Sequence, residues 1–228
     1  MAYRWILFDA DNTLYDFDRS EQYALQQAFF DHEIPFSEQF VKIYHEVNKQ
    51  CWKAFEEGEM DQNTLRSRRF ELLLKAIGMQ GNAETMGTNY LSHLANTDFM
   101  VEGARLLLDR LFGKFKMAIV TNGLQDVQRP RVRKSKTEHY FEAIIVSEEI
   151  GVSKPGQAFF EYTFEHIGQP AKRETLLVGD SLNSDIRGGN DFGIDTCWFN
   201  PGKLRNDSEF VPKFEIQSLE MLEPVLTA

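Results

Sequence analysis

Five short β-rich apolar runs constrain this chain more than any other feature: WILF at 5–8, MAIV at 117–120, AIIV at 143–146, LLV at 176–178 and TCWF at 196–199. Helix-length amphipathic segments separate the later runs. Near-continuous apolar strands need cover on both faces, so this alternation reads as a parallel sheet with helices on either side. The expected fold class is α/β, a doubly wound (Rossmann-like) parallel-sheet core.

The first two runs lie too far apart for a single crossover. Residues from about 18 to 98 contain no convincing strand and several helical patterns. The clearest begins near Ser37, where Phe40, Tyr44, Val47, Cys51 and Phe55 follow at spacings of three and four and form one apolar face. Asp61 is placed to cap a second helix with the stripe Leu65, Phe70, Leu73 and Ile77, and Gly78 to stop it. Asn82 is placed to cap a third that carries Met86, Tyr90 and Leu94. The expected organisation is an α/β core from 1–17 and 99–228, with an inserted α-helical domain over 18–98.

Composition narrows the class. The 228 residues are 42% hydrophobic and 13% aromatic, ample for a packed core, yet no stretch approaches eighteen uninterrupted apolar residues. The N-terminal apolar run is too short for a signal peptide, so a cytoplasmic protein without membrane association is expected. Cys51 and Cys197 lie in segments of different character and read as two buried thiols. A net charge of −10 argues against nucleic acid as a partner. The basic cluster Arg129, Arg131, Arg133, Lys134 and Lys136 spreads around a helix and reads as a solvated surface. An acidic chain acting on an anionic substrate needs a local positive counterweight, either a metal ion or a well-placed lysine.

The first apolar run ends abruptly in DADNTLYDFD, with Asp9, Asp11, Asp16 and Asp18. A calcium loop aligned on Asp9 would need Gly at its sixth position and Glu at its twelfth; Leu14 and Ser20 stand there, so calcium is rejected. Asp and Asn are common turn residues, and alone this segment reads equally as a turn or a site. Three further segments tip the balance. MAIVTNG places Thr121 and Asn122 at a strand end, LLVGDSLNSD places Asp180 and Asp185 at another, and GVSKP carries Lys154 before Pro155, a residue suited to a helix start. Ligands of open α/β sheets bind at the carboxyl ends of the strands, where these groups converge. Asp9, Asp180 and Asp185 offer the hard oxygen ligands that Mg²⁺ selects. Thr121 and Asn122 offer neutral donors for phosphate oxygens, and Lys154 supplies a compact positive charge.

With DADNT, TNG, SKP and GDSLNSD in this order, the sequence resembles the haloacid-dehalogenase-like (HAD) hydrolase superfamily, whose four motifs they match across Tyr3 to about Pro201. The insert after the first motif resembles that superfamily's helical-bundle cap. The resemblance implies Asp9 as nucleophile, Asp11 as general acid/base and Thr121 and Lys154 on the substrate phosphate. It places a Mg²⁺ site among Asp9, Asp11, Asp180 and Asp185. VNKQCWKAFEEGEM, TNGLQDVQ, SEEIGVSKP, GDSLNSDIRGG and DTCWFNP are similar to the pyrimidine 5′-nucleotidases of that superfamily. Pro130 departs from the uninterrupted helix of those relatives, and DFMVEGA lacks their usual proline.

The expected function is therefore Mg²⁺-dependent release of phosphate from nucleoside monophosphates, with dUMP, UMP, dTMP and non-standard analogues preferred, by a monomeric enzyme. Dehalogenation has no oxyanion leaving group to protonate, so an acid at position 11 favours phosphoryl transfer. A sugar-phosphate phosphatase, a phosphomutase and a phosphometabolite-binding module stay open as alternatives. Beside the apolar face of the helix near Ser37 runs the stripe Val41, His45, Asn48 and Trp52. Asn48 is suited to bond a pyrimidine edge and Trp52 to stack on the ring, worth roughly 1–3 kcal/mol, but Trp52 is equally suited to packing between helices. Tyr15 and Phe17, just past the first motif, fit either a gate over the cleft or packing of the linker.

Overall fold

The computed structural model describes residues 3–56 and 58–227. The chain divides into two compact units, one from residues 1–17 and 98–228 and one from 18–97.

Among the described residues, the first unit is built on six parallel strands: β1 (Trp5–Phe8), β2 (Lys116–Thr121), β3 (Ala143–Val146), β4 (Thr175–Gly179), β5 (Asp195–Phe199) and β6 (Phe214–Ile216). Their spatial order is β3-β2-β1-β4-β5-β6, and every pairing is parallel. The first five are the apolar runs of the sequence. β6, only three residues long with an exposed Glu215, carries too little pattern to stand out. Alternation sends Ile6, Phe8, Met117, Ile119, Leu176 and Val178 into one core and Trp5, Leu7, Ala118, Val120 and Leu177 into the other. Each fully buried Ile, Leu, Val or Phe contributes about 1.5–3 kcal/mol. The chain leaves β1 for β2 and β3 on one side, then crosses to β4 on the other. The strand order thus reverses at β1, whose neighbours are β2 and β4, the position where open sheets bind ligands.

The helices of this unit include α5 (Ala104–Leu111), α6 (Gln125–Lys134), α7 (Ser147–Ile150) and α8 (Gln157–His166); α6, after β2, and α8, before β4, bear on the site. α6 runs through Pro130. Pro155 does not begin α8: it lies two residues ahead, after a cis Lys154–Pro155 bond, in a turn closed by Gly156 N donating to Ser153 O at 2.8 Å.

The second unit is helical: α1 (Phe17–Asp31), α2 (Glu38–Glu56), α3 (Gln62–Ala76) and α4 (Ala83–Ala95). Asp61 caps α3 by accepting from Thr64 N at 2.8 Å, and Asn82 caps α4 by accepting from Glu84 N and Thr85 N. Such caps satisfy N–H groups that lack partners within the helix. Ile77 caps the end of α3, followed by Gly78 at φ +69°, a conformation that glycine reaches without a Cβ penalty. Tyr44, Phe70 and Tyr90 pack together at centroid distances of 5.3–5.6 Å. Both cysteines are free and buried. No helix among the described residues is long and apolar enough to cross a membrane.

Candidate active site

The carboxyl ends of β1, β2 and β4 bring together what the sequence places far apart. β1 runs directly into Asp9, whose N–H donates to Val178 O at 2.9 Å. β4 runs into Asp180, whose carbonyl accepts from Trp198 Nε1 at 2.8 Å. Asp185 folds back from the following π-helical turn, Leu182–Ile186, and accepts from Ser181 N at 3.1 Å. Its approach depends on Gly179, where a Cβ would lie 2.3 Å from the Asp185 carboxyl carbon.

Lys154 closes the cluster. Its ammonium donates to Asp9 Oδ1 at 2.6 Å, to Asp185 Oδ1 at 2.7 Å and to Val120 O at 2.7 Å, which uses all three of its N–H groups. Asn122 holds the Lys154 main chain at both ends of its amide, with Nδ2 donating to Lys154 O at 2.8 Å and Oδ1 accepting from Lys154 N at 2.9 Å. Asn122, expected on phosphate oxygens, has its side chain engaged in setting the position of the lysine. Thr121, buried at the end of β2, accepts from Gly123 N at 3.0 Å.

Oxygens of Asp9, Asp180 and Asp185 lie within 4.8 Å of one another. Burial raises the pKa of Asp9; Lys154 opposes this and the Asp185 charge adds to it. Burial raises Asp180 as well, reinforced by the charges of Asp9 and Asp185. Burial would lower the Lys154 pKa, but Asp185 and Asp9 outweigh it and hold the ammonium charged. Three crowded carboxylates share one lysine. A divalent cation would relieve that excess of negative charge, and an all-oxygen donor set suits Mg²⁺. The side chain of Asp11 does not belong to this group. Its carboxylate is bonded instead by Gln128 Nε2, at 2.7 Å, and by Arg131 Nη1.

Arg131 overturns the reading of its basic cluster as a solvated surface. It is 0% exposed, while Arg129 on the same helix pairs with Glu149 at 2.6 Å. Neither Arg131 nor the buried Gln128 stood out in the sequence, because a glutamine three residues before an arginine on a charged helix looks like surface. The available signal was their common helical face immediately after a strand end. Tyr15 is fully buried, its hydroxyl bonded to Thr137 at 2.7 Å and its ring 5.5 Å from the Arg131 guanidinium. It packs the interior rather than gating a cleft. Asn12 takes the left-handed turn at φ 57°, which asparagine tolerates, and its Oδ1 accepts from Phe17 N at 3.1 Å.

In the helical unit Asn48 is buried, with Nδ2 donating to Glu21 Oε1 at 3.0 Å and Oδ1 accepting from Arg69 Nη1 at 3.2 Å. Both ends of its amide are engaged within that unit. Trp52 is half-buried, with its ring edge-on to Phe55 at 5.7 Å.

A doubly wound sheet whose strand ends gather three carboxylates around one lysine defines a class, the metal-assisted enzymes that handle phosphate or similarly anionic substrates. Within it, the chain belongs to the haloacid dehalogenase-like hydrolase family, whose pattern matches residues 3–193. It is 39% identical to the Bacillus subtilis protein YfnB, named as a HAD-hydrolase, over 98% of this chain and 95% of that one. The magnesium-bound crystal structure of YfnB superposes on it with a TM-score of 0.94 over the whole of both chains, at 38% identity. It is also 34% identical to the pyrimidine 5′-nucleotidase PynA of Streptococcus pneumoniae, over 97% of this chain and 94% of that one. The pyrimidine 5′-nucleotidase YjjG of Escherichia coli is 32% identical over 99% of both chains. The chain is thus a Mg²⁺-dependent hydrolase of phosphate monoesters.

Proposed function

We propose that this enzyme is a nucleoside 5′-monophosphate phosphatase that prefers pyrimidine nucleotides such as dUMP, UMP, dTMP and non-standard analogues. It is read as a cytoplasmic monomer acting on free small molecules. The observation that carries the chemistry is the buried Asp9–Lys154–Asp185 cluster at the reversal of strand order. The substrate class is supported by two relatives matched over nearly their full length, both named pyrimidine 5′-nucleotidases.

In the first half-reaction an Asp9 carboxylate oxygen attacks phosphorus in line. The phosphorus–ester oxygen bond breaks, and the departing oxygen takes a proton from Asp11, which leaves an aspartyl-phosphate on Asp9. In the second, water attacks the same phosphorus as Asp11 takes its proton, and inorganic phosphate leaves as the Asp9 carboxylate is restored. Lys154 moderates the negative charge that Asp9 and Asp185 present to the incoming phosphate, Asn122 fixes that lysine, and Thr121 is assigned to the phosphate oxygens. Asp9, Asp180 and Asp185 would hold Mg²⁺, which would supply neutralisation of the negative charge on carboxylate and phosphate.

The helical insert over 18–98 is assigned to substrate selection. Because Asn48 commits its amide to Glu21 and Arg69, Trp52 is the residue of that flank assigned to stacking on a base. Phosphate release with Mg²⁺ from UMP, dUMP, dTMP, CMP, AMP, GMP and several sugar phosphates tests the whole reading. Pyrimidine-selective release, lost in EDTA, is expected. A preference for sugar phosphates would keep the Asp9 chemistry and overturn the nucleotidase assignment. Trp52→Leu is expected to raise KM for nucleotides and leave kcat nearly unchanged.

A further inference from the structure

Asp11 is held from behind. Gln128 Nε2 donates to one of its carboxylate oxygens at 2.7 Å and Arg131 Nη1 to the other. Both donors are buried, Gln128 at 1% exposure and Arg131 at 0%, whereas about a quarter (27%) of the Asp11 side chain meets solvent. Each carboxylate oxygen has two lone-pair directions. Donors on the buried side therefore fix the orientation of the carboxylate and leave its outward lone pairs for exchange of a proton.

This arrangement is built into the fold on both sides. Gln128 and Arg131 stand three apart on α6 and so share a face. Gly123 gives Gln128 its room, since a Cβ there would lie 2.2 Å from Gln128 Nε2. The Tyr15 ring lies 5.5 Å from the guanidinium, and its hydroxyl is tied to Thr137. Arg131 Nε and Nη2 and Gln128 Oε1 are buried with no protein partner. Asp11 is therefore the one carboxylate that this buried guanidinium meets among the described residues. Holding a charge there is costly, and general packing does not require it.

We propose that Gln128 and Arg131 are positioning residues that clasp Asp11 so that its free edge points at the oxygen leaving the phosphorus. They touch neither phosphate nor metal; they act through Asp11. The inference rests on the reading of Asp11 as the general acid.

The test compares two leaving groups. An alkoxide leaving from UMP needs the proton from Asp11, whereas 4-nitrophenolate leaves from 4-nitrophenyl phosphate as a stable anion. The quantity read is kcat/KM, which stops at departure of the leaving group and excludes the later hydrolysis. Gln128→Leu and Arg131→Lys are expected to lower kcat/KM on UMP by about 10- to 100-fold, part of the ~10²–10⁴ that proton transfer supplies. On the aryl ester both variants stay within about threefold of wild type. Gly123→Ala, which pushes Gln128 aside, gives the same split in smaller measure. A merely structural role lowers both substrates together, and an equal loss, or no loss, in Gln128→Leu overturns the clasp. Should Arg131→Lys not fold, Gln128→Leu and Gly123→Ala decide. Asp11→Asn is run alongside. If it shows the split and Gln128→Leu does not, the clasp is wrong and the acid assignment stands. If Asp11→Asn shows no split, the acid assignment itself falls and the inference with it.

Discussion

Each unit of this protein buries a charged cluster, and the two are built on opposite terms. In the helical unit Glu21 accepts from Asn48 and, at 3.3 Å, from Tyr90, while Asn48 in turn accepts from Arg69. The guanidinium lies 4.9 Å from the Tyr90 ring centroid, and His45 pairs with the second Glu21 oxygen at 3.0 Å. One buried acid meets one buried base through a neutral amide, so the two charges offset each other within the unit. In the α/β unit three carboxylates crowd one lysine, and burial and mutual repulsion raise the pKa of Asp9 and Asp180. That cluster is completed only by something cationic from outside. Charge balance, rather than burial or hydrogen-bond count, separates these two clusters.

Several substitutions would break or sharpen this contrast. The largest effect is expected of Asp9→Asn, which should abolish phosphate release in a malachite-green assay while leaving the melting temperature at or above wild type. A neutral amide relieves the crowding and still accepts from Lys154. Near wild-type turnover in that variant would sink the nucleophile assignment. Arg69→Met in the other cluster should do the reverse. It leaves Glu21 without its buried countercharge and should cost about 3–5 kcal/mol in urea denaturation, with kcat per folded molecule unchanged. The double variant Arg69→Met/Glu21→Gln should recover part of that loss.

Mg²⁺ should act on one cluster only. At a hundred times its Kd it should stabilise the protein by about 2.7 kcal/mol in calorimetry. Asp180→Asn should remove this gain while raising the stability of the metal-free protein. A full Mg²⁺ effect in Asp180→Asn would remove Asp180 from the metal site. The smallest effect is expected at His45, whose pKa is raised chiefly by its hydrogen bond to Glu21. Its contribution is fully present below the ordinary histidine range and is lost as pH rises through the raised value. About half of its side chain is exposed (51%), so the contribution should stay under about 1 kcal/mol. Denaturation at about pH 5.5 and about pH 8.5 should show this slope in wild type and not in His45→Gln.

Much of this molecule was legible before folding because its signals are local. The apolar runs of β1–β5 declare a two-sided parallel sheet, and Asp61, Gly78 and Asn82 mark helix ends through their own side chains or lack of one. Asp9, Asp180, Asp185 and Thr121 stand out because they lie at or just past strand ends where ligands bind, and Lys154 because it directly precedes Pro155. β6 escaped because three residues do not establish a period.

What the sequence could not decide is which donors meet which acceptors across long separations. Asn48 looked free to read a base, and Asn122 to bind phosphate, until packing gave the first to Glu21 and Arg69 and the second to the Lys154 main chain. Arg131 looked solvated until α6, packed behind the first motif, turned it onto Asp11, 120 positions away. Residue type and periodicity specify strands, caps and the kinds of chemistry available. The partner of a polar side chain is fixed only when burial removes water as its alternative, and that happens only in the assembled tertiary structure.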